Sequence, residues 1–167
     1  MNIFLTGCTG FLGSHILYQL CEQNKHFIFC IIRKHNNINL FNEFPNIVER
    51  CRFIISDIDT PNKYKKILQK CHFVIHTASP VILKKLDSIE EEDKQIINPA
   101  INNVKNIMDN INHEIFVRMI FTSSVSAVYN KDKTCDEFCW NLENVEAYGR
   151  SKVLSEVECF KYGRQGI

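Results

Sequence analysis

The chain has 167 residues, 45% of them hydrophobic, and a formal charge of +1. That is enough for one well-filled domain, and too even a charge to recruit nucleic acid or an anionic membrane through a global field. No apolar run reaches membrane-spanning length, and the N-terminus lacks a charged region followed by an apolar core and a cleavage site, so a soluble cytoplasmic protein is expected. Eight cysteines are many for a reducing compartment. Cys30 and Cys51 fall in apolar, strand-like runs, where a thiol behaves as a small hydrophobe. Cys135 and Cys139 have no second pair or histidine at zinc spacing. Reduced thiols and no metal are expected, a disulfide framework being the weaker alternative.

Residues 2–6 read as a strand that breaks into three glycines spaced three apart, Gly7, Gly10 and Gly13. A helix follows over 11–23, with Phe11, Leu12, Ile16, Leu17 and Leu20 as its apolar stripe. The run 27–32 is apolar throughout, as in a parallel strand buried on both faces, and stops at Arg33 and Lys34. An asparagine-rich stretch over 36–46 reads as a loop or short irregular helix. Residues 52–55 form a third strand. Thr60 and Pro61 then read as N-cap and first residue of a helix to about Lys70. A fourth strand over 72–77 closes at Ala78-Ser79-Pro80. The acidic run 90–93 opens a helical region that restarts at Asn98-Pro99 and continues to about Asn110. A fifth strand over 117–122 ends at Ser123-Ser124, a polar loop lies around Lys131 to Cys139, and a last helix runs from about 146 to 162. Strands alternating with helices give βαβ units, hence an α/β fold: one Rossmann-type domain over 1–167, with about five parallel strands and helices on both faces.

The glycines sit between strand and helix, the context that makes such a motif credible as a dinucleotide site. Gly7 permits the sharp turn, Gly10 lets backbone approach a pyrophosphate, and Gly13 lets the helix pack on the strand. The helix N-terminus offers N–H groups and a positive dipole end to phosphate. About 20 positions on, an acid would select the non-phosphorylated cofactor; Arg33, with Lys34 beside it, favours a 2′-phosphate and so NADP(H) over NAD(H). A solvated pair closing a strand is the plain alternative. Asp57 follows the third strand and Ala78-Ser79 the fourth, at the strand ends where open α/β sheets bind ligands. Asp57 can accept from an adenine amino group or merely cap the next turn. Tyr148 and Lys152 are four apart on one helix face. An ammonium there can lower a phenol's pKa and hold a ribose, so that the tyrosine exchanges a proton at a carbonyl or alcohol. Ser124, at the end of the fifth strand, can hydrogen-bond the same oxygen, although a serine after a strand is more often a turn.

Together these residues resemble the extended short-chain dehydrogenase/reductase superfamily, in the group of dihydroflavonol and cinnamoyl-CoA reductases. The resemblance rests on Thr6 to Gly13, on His76-Thr77-Ala78-Ser79-Pro80, on Phe121-Thr122-Ser123-Ser124, on Asp136-Glu137 with Trp140, and on Tyr148 through Lys152 with Glu156. It implies an NADP(H)-dependent oxidoreductase that reduces an aldehyde or ketone. Tyr148 would be the general acid, Lys152 its tuner and a ribose ligand, and Ser124 the hydroxyl that orients the carbonyl. Gly7, Thr9, Gly10, Phe11, Leu12, Gly13, Arg33, Asp57, Ile58, Thr77, Ala78, Ser79, Thr122, Tyr148 and Lys152 would line the cofactor. Tyr129 stands where dihydroflavonol reductases carry asparagine, as in cinnamoyl-CoA reductase-like members, and Asn103-Val104 replaces a common glycine–threonine pair. Family members are longer, with a sixth strand and a substrate domain, so this chain is expected to be the N-terminal cofactor part. The alternatives are a nucleotide-sugar epimerase or dehydratase, and a non-catalytic dinucleotide-binding or interaction fragment.

Overall fold

Each strand expected from an apolar run forms where that run lies. The computed structural model describes residues 1–82, 86–129, 134–136, 139–141 and 146–164, and the side chains of all of these except 35–37 and 164. Glu137 and the loop expected around Lys131 lie outside the described residues. The strands are β1 (Asn2–Thr6), β2 (Phe27–Ile32), β3 (Cys51–Ile55), β4 (Phe73–His76) and β5 (Arg118–Phe121). The helices are α1 (Phe11–Glu22), α2 (Pro45–Arg50), α3 (Lys65–Leu68), α4 (Ile89–Glu92), α5 (Asn98–Met108), α6 (Val125–Val128) and α7 (Ala147–Arg164). The described residues fall into two compact units: 1–78 with 106–122, and 79–105 with those from 123 on.

The first unit holds the whole sheet, parallel throughout and ordered β3-β2-β1-β4-β5. This is the doubly wound, Rossmann-type arrangement expected, with the order reversing between β1 and β4. Side chains alternate across it. Ile3 and Leu5 join Ile28, Cys30, Ile32 and Ile75 in a core closed by Leu17 and Cys21 of α1 and Ile47 of α2. The intervening Phe4 is fully buried against Tyr64, ring centroids 5.4 Å apart. Burial on both faces is why these runs lack polar alternation.

Four local expectations are corrected. Phe11 and Leu12 do not join the apolar stripe of α1: they are 87% and 46% exposed, while Gly13, Leu17 and Cys21 face inward. The asparagine-rich stretch does contain the short irregular helix expected, a 3₁₀ segment (His35–Phe41), but the regular helix α2, which opens on Pro45, was not expected there. Thr60 and Pro61 do stand at the N-cap and first position of a helical turn, but the Thr60 side chain caps nothing there; its hydroxyl donates to the Asp57 carbonyl at 2.9 Å. The expected helix from Pro61 to Lys70 is a 3₁₀ turn (Pro61–Lys63) and then α3, parted by Tyr64, which is fully buried and donates its hydroxyl to the Ile58 carbonyl at 2.7 Å. The inward pull of that ring outweighs regular helix geometry.

The second unit is helical among its described residues. A π-helical turn (Asp93–Ile97) joins α4 to α5. Pro99 explains it: proline supplies no N–H to the carbonyl four residues back and its ring crowds that carbonyl, so the preceding turn widens. Residues 98–105 of α5 belong to this unit and 106–108 to the first. Arg150 ties α7 to the π turn, donating to Asp93 at 2.7 Å with Glu92 at 3.5 Å. Asn141 braces α6, its N–H donating to the Ala127 carbonyl and its amide to that of Tyr129.

Candidate functional site

In the first unit the site is built around the end of β1. Gly7 has φ +76°, a left-handed conformation closed to most side chains. A Cβ there would lie 2.5 Å from Thr77 Oγ1 and 2.8 Å from the Ala78 nitrogen. A Cβ at Gly13 would overlap the Gly7 carbonyl, whose carbon would be 2.6 Å away. The turn is therefore wedged between the end of β4 and the first turn of α1, and only hydrogen fits at those two positions. Gly10 differs: its Cβ would meet nothing nearer than the Gly7 carbonyl oxygen, at 3.3 Å. That contact is tight without being an overlap, so internal packing restricts Gly10 less than Gly7 or Gly13, and its exposed surface stays open to approach from outside.

The N-terminus of α1 is open to an anion. Its first N–H groups have no acceptor within the helix, no side chain caps them, and no acid lies in the first turn. The fit to a phosphate-bearing cofactor is good on this structural ground, because the N–H groups and the dipole are unopposed. Thr9, Gly10, Phe11 and Leu12 are all exposed around it. Arg33 and Lys34, exposed, follow β2, the strand next to β1. Asp57 is exposed, but its Oδ1 already accepts from the Ile58 amide at 2.7 Å, the turn-capping role. Ile58 itself is buried.

Thr77 acts inward: its hydroxyl donates to the Thr6 carbonyl at 2.7 Å. The Ala78 amide donates to Thr6 Oγ1 at 3.3 Å, and that oxygen lies 2.6 Å from Nδ1 of buried His76. The Thr122 amide donates to the His76 carbonyl. Sequence reading did not single out Thr6 and His76 as partners. The available signal was two polar residues, each ending an otherwise apolar strand.

Ser79, Ser124, Tyr148 and Lys152 belong to the second unit. Ser124 caps α6, its Oγ accepting from the Ser126 amide at 3.2 Å. Ser123 donates to Glu156 of α7 at 3.2 Å. On α7, Lys152 is only 4% exposed, and its Nζ lies 5.8 Å from the centre of the Tyr148 ring. Burial pushes the Lys152 ammonium pKa below its ordinary value, against the opposing pull of Cys159 and Glu156. A buried ammonium against a half-exposed phenol on consecutive turns is the pairing expected from the spacing of four. Among the described residues no cluster of His, Cys, Asp or Glu could hold a metal ion, and no helix is long and apolar enough to cross a membrane.

The sequence is 30% identical over 179 residues to vestitone reductase of Medicago sativa, covering 98% of this chain and 54% of that protein. It is 27% identical to the NADPH-dependent methylglyoxal reductase GRE2 of Saccharomyces cerevisiae, covering 97% of this chain and 52% of that one. The crystal structure of alfalfa vestitone reductase superposes with a TM-score of 0.76 at 28% identity, over 99% of this chain and 54% of that structure. That of yeast Gre2 complexed with NADPH gives 0.78 at 23% identity, over the same shares; at that identity the likeness speaks for the fold alone. The chain thus spans about half the length of the relatives it matches. The NAD dependent epimerase/dehydratase family matches residues 3–167, nearly the whole sequence, and the chain belongs to that family, with relatives named as reductases.

Proposed function

We propose that this chain is the cofactor-binding part of an NADP(H)-dependent reductase that converts a small aldehyde or ketone to an alcohol. One observation carries the reading: the buried Lys152 ammonium set against Tyr148 on α7. In this reading the open N-terminus of α1 and the Gly10 surface take the pyrophosphate, and Arg33 with Lys34 takes the 2′-phosphate. Bound NADPH supplies a hydride to the carbonyl carbon. Tyr148 gives its phenolic proton to the carbonyl oxygen as negative charge develops there, and Lys152 stabilises the phenolate left behind. Ser124 donates a second hydrogen bond to that oxygen. In the reverse, alcohol-oxidising direction the Tyr148 phenolate takes the proton from the alcohol oxygen. The names of the matched relatives support the reductase class and the phosphorylated cofactor.

The test is NADPH consumption against a panel of small aldehydes and ketones, in wild type and Tyr148→Phe. Loss of the general acid is expected to lower kcat roughly 100-fold or more while NADPH affinity stays within about twofold. Turnover unchanged by the substitution contradicts the assigned role.

A further inference from the structure

We infer that His76 is a positioning residue for the phosphate-binding turn, acting as the neutral, Nδ1-accepting end of a hydrogen-bonded chain. The inference deepens the cofactor reading above and rests on it for its link to binding. Thr6 and His76 are register partners on adjacent parallel strands, so their side chains stand side by side on one face of the sheet. Both are shut from water, at 0% and 2% exposure. Thr6 is the last residue of β1, immediately before the left-handed Gly7.

The direction of the chain follows from counting protons. The Ala78 backbone N–H can only donate, so Thr6 Oγ1 accepts from it. The hydroxyl still carries one proton of its own, and its other partner among the described residues is His76 Nδ1, at 2.6 Å. A fully buried hydroxyl proton without an acceptor is unfavourable. The proton therefore points at Nδ1, which must be bare, and the imidazole carries its hydrogen on Nε2. The Phe121 ring, 5.6 Å away at 31°, leans against the imidazole and limits its rotation.

The consequence lies at the turn. The chain from Ala78 N–H through the Thr6 hydroxyl to His76, beside the Thr77 hydroxyl bond to the Thr6 carbonyl, clamps the segment after β4 onto the residue preceding Gly7. That clamp fixes Thr77 Oγ1 and the Ala78 nitrogen where they leave no space for a Cβ at Gly7. A loosened clamp lets the turn open and misplaces the N–H groups of α1.

Two variants of the 167-residue chain test this. Asn keeps a short polar group that can accept at the Nδ1 position; Leu keeps similar bulk and offers no acceptor. In His76→Leu, amide exchange at Ala78 and Gly10 is expected to speed up roughly tenfold, and NADPH to bind roughly tenfold more weakly. In His76→Asn both stay within about threefold of wild type. Long-range proton–nitrogen correlation on the wild type is expected to show Nδ1 bare and Nε2 protonated. Exchange at Ala78 and Gly10 that is the same in His76→Leu as in wild type overturns the inference, and so does equal damage by Leu and Asn, which would mean plain packing. A proton found on Nδ1 overturns it even if the Leu variant fails to fold. If the exchange and tautomer results hold while wild type binds no NADPH, the clamp stands and the cofactor reading fails.

Discussion

Replacing glycines one at a time by alanine separates the jobs they do, because the structure assigns each a different free space. In an ordinary helix, glycine to alanine stabilises by about 0.5–1 kcal/mol. Gly163, in α7, meets nothing within 4 Å, so Gly163→Ala is expected to gain up to about 0.5 kcal/mol near the helix end. Gly13 is also helical, yet its new methyl would overlap the Gly7 carbonyl. Backbone must move, at about 1–3 kcal/mol for an overpacked site, and the net change reverses sign to a loss of about 1–2 kcal/mol. Gly7→Ala adds the cost of a left-handed backbone, about 1–2 kcal/mol, to contact with Thr77 and the Ala78 nitrogen, so about 2–4 kcal/mol is lost. Gly10→Ala, whose methyl would press on the Gly7 carbonyl oxygen at 3.3 Å without overlapping it, loses less than Gly13→Ala, at most about 1 kcal/mol, yet weakens NADPH binding. Urea titrations with the slope checked for constancy give the ranking, and thermal midpoints should move about 2–4 °C per kcal/mol. A Gly13→Ala variant as stable as wild type refutes the claim that α1 is seated on the turn without room for a methyl.

Lys152 gives a pH signature. Its folded pKa lies below the ordinary 10.5, through burial, so between the two values the unfolded chain binds more protons and stability rises with pH. The cost is full below the folded pKa and disappears as pH climbs toward 10.5. Lys152→Met is therefore expected to be at least as stable as wild type near pH 7, with the difference narrowing by pH 10 in parallel urea titrations. A difference that widens with pH contradicts the burial argument. Cysteine chemistry offers another check. Burial pushes the Cys21 and Cys71 thiols up to about 12, so iodoacetamide at pH 8 is expected to modify half-buried Cys135 well before either. Mass mapping that finds Cys21 or Cys71 labelled first would contradict that placement.

What was legible in the sequence was the scaffold of the first unit. The apolar runs became strands most clearly at the centre of the sheet, where β1, β2 and β4 are buried on both faces and carry little polar alternation; the outer strands β3 and β5 expose Arg52 and Arg118. The glycine spacing read correctly for the turn because a Cβ at Gly7 or Gly13 would strike neighbouring backbone. The errors came where tertiary forces override local pattern. Phe11 and Leu12 carry helical periodicity, but in the first turn of α1 it is Gly13 that packs against the Gly7 turn, and both side chains are left exposed. Tyr64 interrupts the helix expected from Thr60 because its ring and hydroxyl find buried partners. Pro99 widens the turn before it, where a simple restart was expected. The contact between Lys152 and Tyr148 was legible from spacing. The depth of Lys152 was not, because burial depends on α6 and the π turn, neither of which has a clear local signature. The Thr6–His76 bond joins residues 70 apart, which no window along the chain can see.

The most direct test of the central claim is calorimetric titration of NADPH and NADH against the chain, with Arg33→Ser alongside. The account predicts saturable binding of NADPH, roughly tenfold or more tighter than NADH, with that preference largely lost in the variant because a charged contact to phosphate is worth about 1.5–3 kcal/mol. Absence of NADPH binding, or tighter binding of NADH, would contradict it.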